Sequence, residues 1–502
     1  MRASHEISLS FGDDVALTAR RRIAYAFRIF AAVKGARVIG GDSTGADESA
    51  VPVEQSATVA GGVRLCYGRS GERPGDVELA ARYVPRDPAV PASPPETVTV
   101  VAPEGGDVRM PVFHGKPGSN GEPGVDWLAE LFEWVSAADE RAVRSRDGVG
   151  RVARAAAAHG RLGLTPDIPY ASVAVAELDR LIARETHGLW TTGCLSPWPD
   201  TPLGVAATHD IDFLPDHIGA TWSRWARNIA VGALRMKSGS VAARAAFSAV
   251  RPLSGAVWLN DSLRRFRARE ERRGVDSTWT VVCRSEHGRD PTYRLDSVGT
   301  RRALEELAAS GAEIGVHGSY TSLASPGRLA DEYDRLRAFG HDPAGGRQHW
   351  LKFEDGALFR ELVTAGARYD ATVGFSETVG FRNGASFPFP PYDFDNERAF
   401  PILELPLVVM DVALAGSVPP EAWAEKSRSV LREASRWTWG GVSVLWHDTA
   451  ITDALHPESL GEVYFELLDG PGRFSTGKAL VEAVRERYAL AGLPDVASGV
   501  TT

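Results

Sequence analysis

The sequence predicts an α/β fold, with an irregular parallel (β/α) barrel over residues 201–490 and a smaller α/β region before it. Three observations support this prediction. From residue 201 onward, short apolar strands alternate with amphipathic helices, which is typical of parallel strands joined by crossover helices. Acidic and histidine side chains follow several of these strands, and a parallel barrel gathers such strand ends at one mouth. A chain of 502 residues also exceeds what one hydrophobic core usually organises.

The first 124 residues are predicted to form the smaller α/β region. Arg20–Lys34 has the apolar spacing of a helix that ends at Gly35, and Ala36–Ile39 and Val63–Tyr67 have the pattern of strands. Residues 125–200 are predicted to be a helical connector, which begins with the amphipathic segment Val125–Ala138. Residues 491–502 are predicted to be a flexible tail. The first 200 residues show no motif that indicates chemistry.

Composition narrows the classes of function. The formal net charge of -9 argues against a nucleic-acid groove as the main function. The three cysteines, Cys66, Cys194 and Cys283, are far apart and odd in number, which indicates no disulfide framework and favours a reducing, cytoplasmic environment. No apolar run approaches the length of a membrane span. The cationic, amphipathic segment 222–250 could contact an anionic membrane surface, although a solvated helix is the commoner interpretation of such a pattern.

Within residues 201–490 the strands and helices can be placed in order. Leu203 lies in an apolar run that ends at Asp210 and Asp212 and predicts the first strand. The predicted helices are Asp261–Arg273, Ser297–Ser310, Gly327–Phe339 and Leu358–Ala365. The further predicted strands are Ser277–Val282, Glu313–His317, Arg347–Leu351, Ala367–Asp370, Ile402–Leu407 and Val442–His447.

The two carboxylates after the first strand are the strongest sign of chemistry. Side chains alternate along a strand, so Asp210 and Asp212 share one face and His209 points to the other. Two neighbouring carboxylates repel each other unless a positive charge lies between them. A divalent metal ion would meet this need, with one carboxylate as a ligand and the other as a base. The alternative is a pair of aspartates in a solvated loop.

Other strand ends supply the remaining groups of a hydrolytic site. His317 and Asp212 are candidate metal ligands, and Asp210 is the candidate base for a water molecule. His447 ends the last strand and could protonate a departing amine. Asp370 could hold a histidine in its cationic form.

The segment Thr208-His209-Asp210-Ile211-Asp212 resembles the first motif of the polysaccharide deacetylase superfamily, which includes N-deacetylases of chitin, chitooligosaccharides and peptidoglycan (the carbohydrate esterase family four type). The other motifs follow in order. They are His317–Thr321 for the metal histidines, Arg347–Trp350 for the Arg-x-Pro-aromatic groove, Tyr369-Asp370 for the fourth motif and Leu445–His447 for the terminal Leu-x-His. The resemblance covers residues 201 to about 490, and the region before it is similar to the N-terminal region of one bacterial branch.

The resemblance implies roles for these positions. It implies that Asp210 is the general base, that Arg347 orients Asp210, and that His447 is a general acid tuned by Asp370. It also implies that the main-chain N–H of Trp350 helps to bind the oxyanion of the reaction.

The metal ligands implied by the resemblance are Asp212 and His317, and here the sequence departs from the family. The family's second metal histidine follows the first by four residues, and Thr321 occupies that position. A hydroxyl is a poor Zn²⁺ ligand, so Thr321 is expected to hydrogen-bond a ligand or substrate instead. His349 replaces the proline of the third motif and could supply the missing imidazole from a neighbouring strand end. Otherwise the site would have only two protein ligands.

These features predict a metal-dependent hydrolase that removes the N-acetyl group from an amino sugar in an oligosaccharide, polysaccharide or glycoside. Water activated at the metal would attack the acetamide carbonyl. Zn²⁺ is the expected ion, with Co²⁺, Mn²⁺ or Ni²⁺ as alternatives. Two other functions remain open: a hydrolase that opens a small cyclic amide or ureide, and a glycan-binding protein whose site no longer holds metal.

Overall fold

The computed structural model of the chain describes residues 6–11, 15–39, 63–67, 77–79, 83, 96–115, 124–141, 143–187, 190, 197–198, 200–212, 214, 257–353, 356–451, 458–470 and 472–494. The cationic segment 222–250 and Cys194 lie outside these residues. Among the described helices, none combines the length and the apolar character that a membrane crossing requires.

The first region contains a four-stranded parallel sheet and a separate hairpin. The sheet has the order β2-β1-β3-β4, and β5 pairs with β6 in the antiparallel sense. Helix α1 ends at Gly35, whose φ of 63° suits a residue without a side chain. The elements are β1 (Glu6–Phe11), α1 (Leu17–Lys34), β2 (Arg37–Val38), β3 (Val63–Tyr67), β4 (Val77–Leu79), β5 (Glu96–Val101) and β6 (Asp107–Val112).

Four helices follow and pack this region against the rest of the chain. They are α2 (Trp127–Val135), α3 (Ala138–Arg141), α4 (Ala158–Arg161) and α5 (Tyr170–Glu185). Asp126 caps α2 by accepting a hydrogen bond from the Ala129 N–H. Phe132 of α2 belongs to one buried apolar cluster with Phe387 and Trp439 of the second region. The two regions therefore share a core, and the boundaries at residues 124 and 200 stay predictions.

The second region is a curled sheet of parallel strands with helices around it, so the predicted irregular (β/α) barrel is confirmed. Its strand order is β14-β11-β10-β9-β8-β7-β16-β15, and β17 pairs with the start of β7. The strands are β7 (Leu203–Ile211), β8 (Thr278–Val281), β9 (Glu313–Gly318), β10 (Gly345–Gln348), β11 (Tyr369–Asp370), β14 (Leu403–Glu404), β15 (Leu407–Met410), β16 (Gly440–Leu445) and β17 (Arg473–Ser475); β12 (Tyr392–Asp393) and β13 (Arg398–Ala399) form a separate antiparallel pair.

The described helices of this region lie between its strands or after them. Three of the predicted helices, Ser297–Ser310, Gly327–Phe339 and Leu358–Ala365, are found within one residue of their predicted ends. The helices are α6 (Val257–Glu271), α7 (Val298–Ala309), α8 (Arg328–Ala338), α9 (Ala357–Thr364), α10 (Asp411–Ser417), α11 (Trp423–Arg436), α12 (Asp448–Ile451), α13 (Glu458–Leu468) and α14 (Gly477–Leu490).

The barrel closes along residues 403–410, which pair with β11 and the residues after it on one side and with β16 on the other. The Leu405 N–H donates to the carbonyl of Asp370 in β11 at 2.8 Å, and the Pro406 carbonyl accepts from the N–H of Ser443 in β16 at 2.8 Å. Proline has no N–H to continue a ladder, which explains why the predicted strand Ile402–Leu407 is two short strands here. The two ends of the sheet thus meet within one stretch of chain.

Candidate active site

The base candidate Asp210 is buried near the end of β7 and is held by two side chains. Its Oδ1 accepts hydrogen bonds from the Thr280 hydroxyl at 2.7 Å and from the Arg347 guanidinium at 3.0 Å. Arg347 is fixed in turn, because it also donates to the Thr208 hydroxyl at 2.9 Å and to the Ala371 carbonyl at 2.8 Å. Arg347 therefore lies where the sequence places it, against Asp210.

The surroundings of Asp210 keep its carboxylate ionised. Burial by itself would raise the pKa of Asp210, but the charges of His317, Arg347 and His447 outweigh burial and hold the pKa well below its usual value. The second oxygen, Oδ2, lies 3.7 Å from His317 Nε2 and 3.9 Å from His447 Nε2. One carboxylate oxygen is thus fixed by donors, and the other faces two imidazoles.

Three side chains from three strand ends converge beside Asp210. His317 Nε2 lies 2.9 Å from His349 Nδ1, and Asp212 Oδ1 lies 3.8 Å from the first of these atoms and 3.7 Å from the second. The three ligand atoms all lie within 4.8 Å of one another. His349 therefore stands next to His317, as the sequence suggests for a replacement of the missing imidazole.

The histidine chemistry suits a metal ligand set. His317 Nδ1 lies 3.1 Å from the Arg347 carbonyl, which can only accept, so Nδ1 carries the hydrogen and Nε2 presents its lone pair to Asp212 and His349. Burial lowers the pKa of both His317 and His349 to about 4, although the charge of Asp210 opposes this. Both rings are therefore neutral at neutral pH, which is the form that binds metal.

The spacing of the three atoms fits a divalent ion. Ligand atoms about 2.0–2.1 Å from a tetrahedral zinc ion lie roughly 3.3 Å apart. The observed separations of 2.9, 3.7 and 3.8 Å fall on both sides of that value. Two imidazoles and one carboxylate are also a known catalytic zinc ligand set. The residues present thus fit such an ion without rearrangement of the strands.

The acid candidate His447 follows β16 and is paired with Asp411. Its Nδ1 lies 2.7 Å from Asp411 Oδ1, and its main-chain N–H donates to Asp411 Oδ2 at 2.9 Å. Burial would lower the pKa of His447, but the Asp411 carboxylate outweighs burial and raises the pKa to about 10. His447 is therefore protonated at neutral pH, with Nε2 directed towards Asp210.

Asp370, expected from the sequence to tune His447, lies elsewhere, and this expectation is corrected. The Asp370 carboxylate is bound by the Thr372 main-chain N–H at 3.0 Å and by the Thr372 hydroxyl at 2.8 Å. Its strand partner is Glu404, which hydrogen-bonds to it, and burial raises the pKa of both carboxyls. The physical reason is topology, because β11 pairs with β14, whereas β15, which ends at Met410 just before Asp411, is the strand beside β16.

The third-motif aromatic, Trp350, begins a sharp turn. Trp350 and Leu351 have positive φ values of 65° and 49°, so the chain leaves β10 at His349 instead of continuing as the predicted strand to Leu351. The indole is 45% exposed. The Trp350 carbonyl accepts a hydrogen bond at 2.6 Å from Arg151 of the first region. The oxyanion role of its N–H stays a prediction.

Two further residues have clear places. Thr321 accepts a hydrogen bond from the Arg328 guanidinium at 2.9 Å. His209 points away from Asp210, as predicted, with Nδ1 2.9 Å from the Trp446 carbonyl and Nε2 3.0 Å from Glu270. His209 precedes the base Asp210 and Trp446 precedes the acid His447, so this contact links the two segments of chain that carry these residues.

Sequence reasoning missed two residues of the site, Asp411 and Thr280. Asp411 had a usable signal, because the run Leu407–Met410 is apolar and ends in an aspartate, the same pattern that marks Asp210. Thr280 lies in the middle of a predicted strand, and its contact with Asp210 follows from the register Asp210↔Thr280 between β7 and β8. Register of this kind is not visible in one sequence.

Comparison with known proteins finds matches among solved structures only. No protein-family model matches the chain, and no curated protein matches its sequence. The solved structures that align with it include the following three. A "putative polysaccharide deacetylase" from Mycobacterium smegmatis is 17% identical with a TM-score of 0.39, covering 59% of this chain and 95% of its own. A "putative polysaccharide deacetylase involved in O-antigen biosynthesis" from Bordetella bronchiseptica is 14% identical with a TM-score of 0.27. The alignment covers 53% of this chain and 89% of the other.

The third structure is an allantoinase, 11% identical with a TM-score of 0.38, covering 60% of this chain and 95% of its own. All three structures align at under 25% identity and with TM-scores below 0.5. At these identities and scores they do not assign an activity, which depends on the side chains at the barrel mouth.

Proposed function

We propose that the chain is a metal-dependent hydrolase that removes the N-acetyl group from an amino sugar in a glycoside, oligosaccharide or polysaccharide. The observation that carries this proposal is the position of Asp210. An ionised carboxylate lies beside a three-residue ligand set on one side and 3.9 Å from a protonated imidazole on the other. Amide hydrolysis needs such a base and such an acid on either side of the reacting carbon.

The ligand set would be Asp212, His317 and His349. A divalent ion held there supplies Lewis-acid activation of water and of the amide carbonyl. Zinc is the ion that the two imidazoles and one carboxylate favour, and Co²⁺, Mn²⁺ or Ni²⁺ are alternatives for the same donors. His317 is oriented for this task by the Arg347 carbonyl.

Asp210 would remove a proton from the attacking water through its Oδ2. Arg347 and Thr280 hold the other oxygen, so the carboxylate cannot rotate away from the reacting atoms. His447 would give its Nε2 proton to the leaving nitrogen, because Asp411 holds Nδ1 and keeps the ring cationic before the reaction. The main-chain N–H of Trp350 would assist at the developing oxyanion.

The test is acetate release from N-acetylated oligosaccharides by purified protein, first freed of metal with a chelator and then reloaded with Zn²⁺ or Co²⁺. Activity that appears only after reloading supports the proposal. Allantoin and hydantoin serve as the matched cyclic substrates, and ring opening in place of acetate release would assign the chain to the other class of C–N hydrolase. Failure to bind metal at all, with glycan binding intact, would make it a binding protein.

A further inference from the structure

A cluster of two cations and two aromatic rings lies at the rim of the candidate active site; here it is called the rim cluster and consists of Arg289, Tyr320, Trp350 and Lys352. The Arg289 guanidinium carbon lies 5.0 Å from the centroid of the Tyr320 ring and 5.6 Å from that of Trp350. Lys352 Nζ lies 4.7 Å from the Tyr320 centroid. One tyrosine ring thus brings two positive charges together.

The rim cluster is attached directly to the proposed metal ligands. Trp350 follows His349 in the chain, and Tyr320 follows His317 by three residues. The Arg289 main chain hydrogen-bonds the His349 ring and, through its carbonyl, accepts from the Trp350 indole at 3.4 Å. The rim cluster therefore lies next to the proposed ligand set, and two of its members, Arg289 and Trp350, are exposed.

Neither cation of the rim cluster has a carboxylate partner among the residues that the structure describes. Arg289 donates to the Tyr320 hydroxyl at 3.1 Å and to the Gly148 carbonyl at 3.4 Å. Lys352 donates to the Tyr320 carbonyl at 3.4 Å. All three acceptors are neutral oxygens at medium to long distances.

Three acidic residues that the structure describes in this part of the molecule are engaged elsewhere. Asp147 pairs with Arg151 at 2.7 Å, and Glu286 pairs with Arg328 at 2.5 Å. Asp290 accepts three main-chain hydrogen bonds, one of which, from Tyr320 at 2.7 Å, fixes the base of the cluster. Two positive charges beside one tyrosine ring, neither with a carboxylate partner among the described residues, favour an anion from outside.

We propose that the rim cluster binds an anionic group of the substrate, a carboxylate or a phosphate, so that the substrate is an acidic or phosphorylated amino sugar and not a neutral chitin-type chain. This inference rests on the proposed deacetylase function. The Arg289 fork and the Lys352 ammonium supply charge-assisted hydrogen bonds to either anion. The partly exposed Trp350 ring offers an apolar face to the sugar.

Three probes that share the acetamide test the proposal: N-acetylglucosamine, N-acetylglucosamine 6-phosphate and N-acetylmuramic acid, which carry no charge, a phosphate and a carboxylate. We compare kcat/KM for acetate release by the metal-loaded wild type, R289Q/K352Q and the matched control R302Q, whose arginine pairs with Glu306 on α7. We expect at least one anionic probe to be preferred over the neutral probe by about 10-fold or more, and R289Q/K352Q to reduce that ratio to near one. R302Q is expected to keep the wild-type preference for the anionic probe. Adding 0.5 M salt should lower that preference in the wild type.

The preferred probe distinguishes a phosphate from a carboxylate. Equal rates for all three probes, or a preference that survives in R289Q/K352Q, would overturn the proposal. Equilibrium binding of the same probes to D210N protein is the second measurement, because it needs no turnover. If no probe is hydrolysed but anion binding is lost in R289Q/K352Q, the deacetylase proposal fails and the anion site stands. If the probes are hydrolysed without preference for an anion, the anion-site proposal fails and the deacetylase proposal stands.

Discussion

Two pairs of carboxyl groups in the barrel, one at its mouth and one in its wall, differ in the direction in which their surroundings shift the pKa. Asp210 and Asp212 lie at the mouth, and Asp370 and Glu404 lie side by side in adjacent strands of the wall. At the mouth, the charges of neighbouring groups lower the pKa of Asp210, and Arg347 and protonated His447 keep it ionised at neutral pH. In the wall, burial raises the pKa of Asp370 and Glu404, and no cation among the described residues hydrogen-bonds either carboxyl.

Arg347 contributes to this difference in pKa between the mouth pair and the wall pair. Its guanidinium is close enough to the wall pair to lower those pKa values slightly, but it donates its hydrogen bonds to Asp210. A pair of acids in one barrel can thus be reactive or structural, and the bound cation decides which. The substitutions below separate the two pairs.

The largest effect is expected from loss of a proposed ligand at the mouth. Asp212→Ala and His349→Ala should each weaken metal affinity by more than about 100-fold, since even loss of a residue behind the ligands costs roughly 10–100-fold. Metal titration at a pH where imidazole is neutral measures this. Thr321→Ala is the matched control, because Arg328 already holds that hydroxyl, and it should bind metal normally. Unchanged affinity in the His349 variant would leave a site with two protein ligands.

The next largest effect concerns the base. Asp210→Asn should lower kcat by roughly 10²–10⁴-fold while the protein still binds metal, because only the proton acceptor is removed. The asparagine can still accept from Arg347 and Thr280, so the fold is expected to persist. Near-full activity with metal bound would show that another group takes the proton.

The acid at the mouth should be sensitive to Asp411 and not to the wall pair. The pKa of His447 is raised to about 10, so its proton is present below that pH and lost above it. Asp411→Asn removes the charge that raises this pKa and should move the alkaline limb of the kcat/KM profile to lower pH, with a loss of roughly 10–100-fold in rate. Glu404→Gln should leave that limb in place. A shift with Glu404→Gln and none with Asp411→Asn would reverse the assignment.

The smallest effect is expected from the wall pair itself, and it is one of stability. The folded-state pKa of Glu404 lies above its ordinary 4.5, so folded protein keeps a proton that unfolded chain releases. The free energy of unfolding should therefore fall as pH rises above about 4.5 towards that folded-state pKa. Glu404→Gln, which imitates the protonated carboxyl, should be more stable relative to wild type at pH 8 than at pH 4. Urea unfolding at both pH values measures the difference, and parallel curves would contradict it.

The sequence predicts much of this comparison. The barrel, the placement of Asp210, Asp212 and His317 together, and the contact of Arg347 with Asp210 follow from strand ends and motif order. A short strand that ends in a charged residue is a strong local signal, and parallel topology brings such ends together.

What the sequence does not predict depends on which strands are neighbours. Asp370 and Asp411 both follow short apolar strands, but only the strand before Asp411 lies beside β16 and so reaches His447. The pairing of residues 403–410 with β11 on one side and β16 on the other determines this arrangement, and a single sequence gives no sign of it. The proximity of His349 to His317 likewise depends on the turn at Trp350 and Leu351.

The hydrogen bonds from the first region to the rim have an evolutionary consequence. Arg151 donates to the Trp350 carbonyl at 2.6 Å, and the Gly148 carbonyl accepts from Arg289 at 3.4 Å. A recombination event that exchanged the first 200 residues for those of a distant homologue would also exchange part of the wall of the substrate entrance. Selection on substrate choice should therefore act on both halves together, and residues 148–151 should covary with positions 289 and 350 across descendants of this chain.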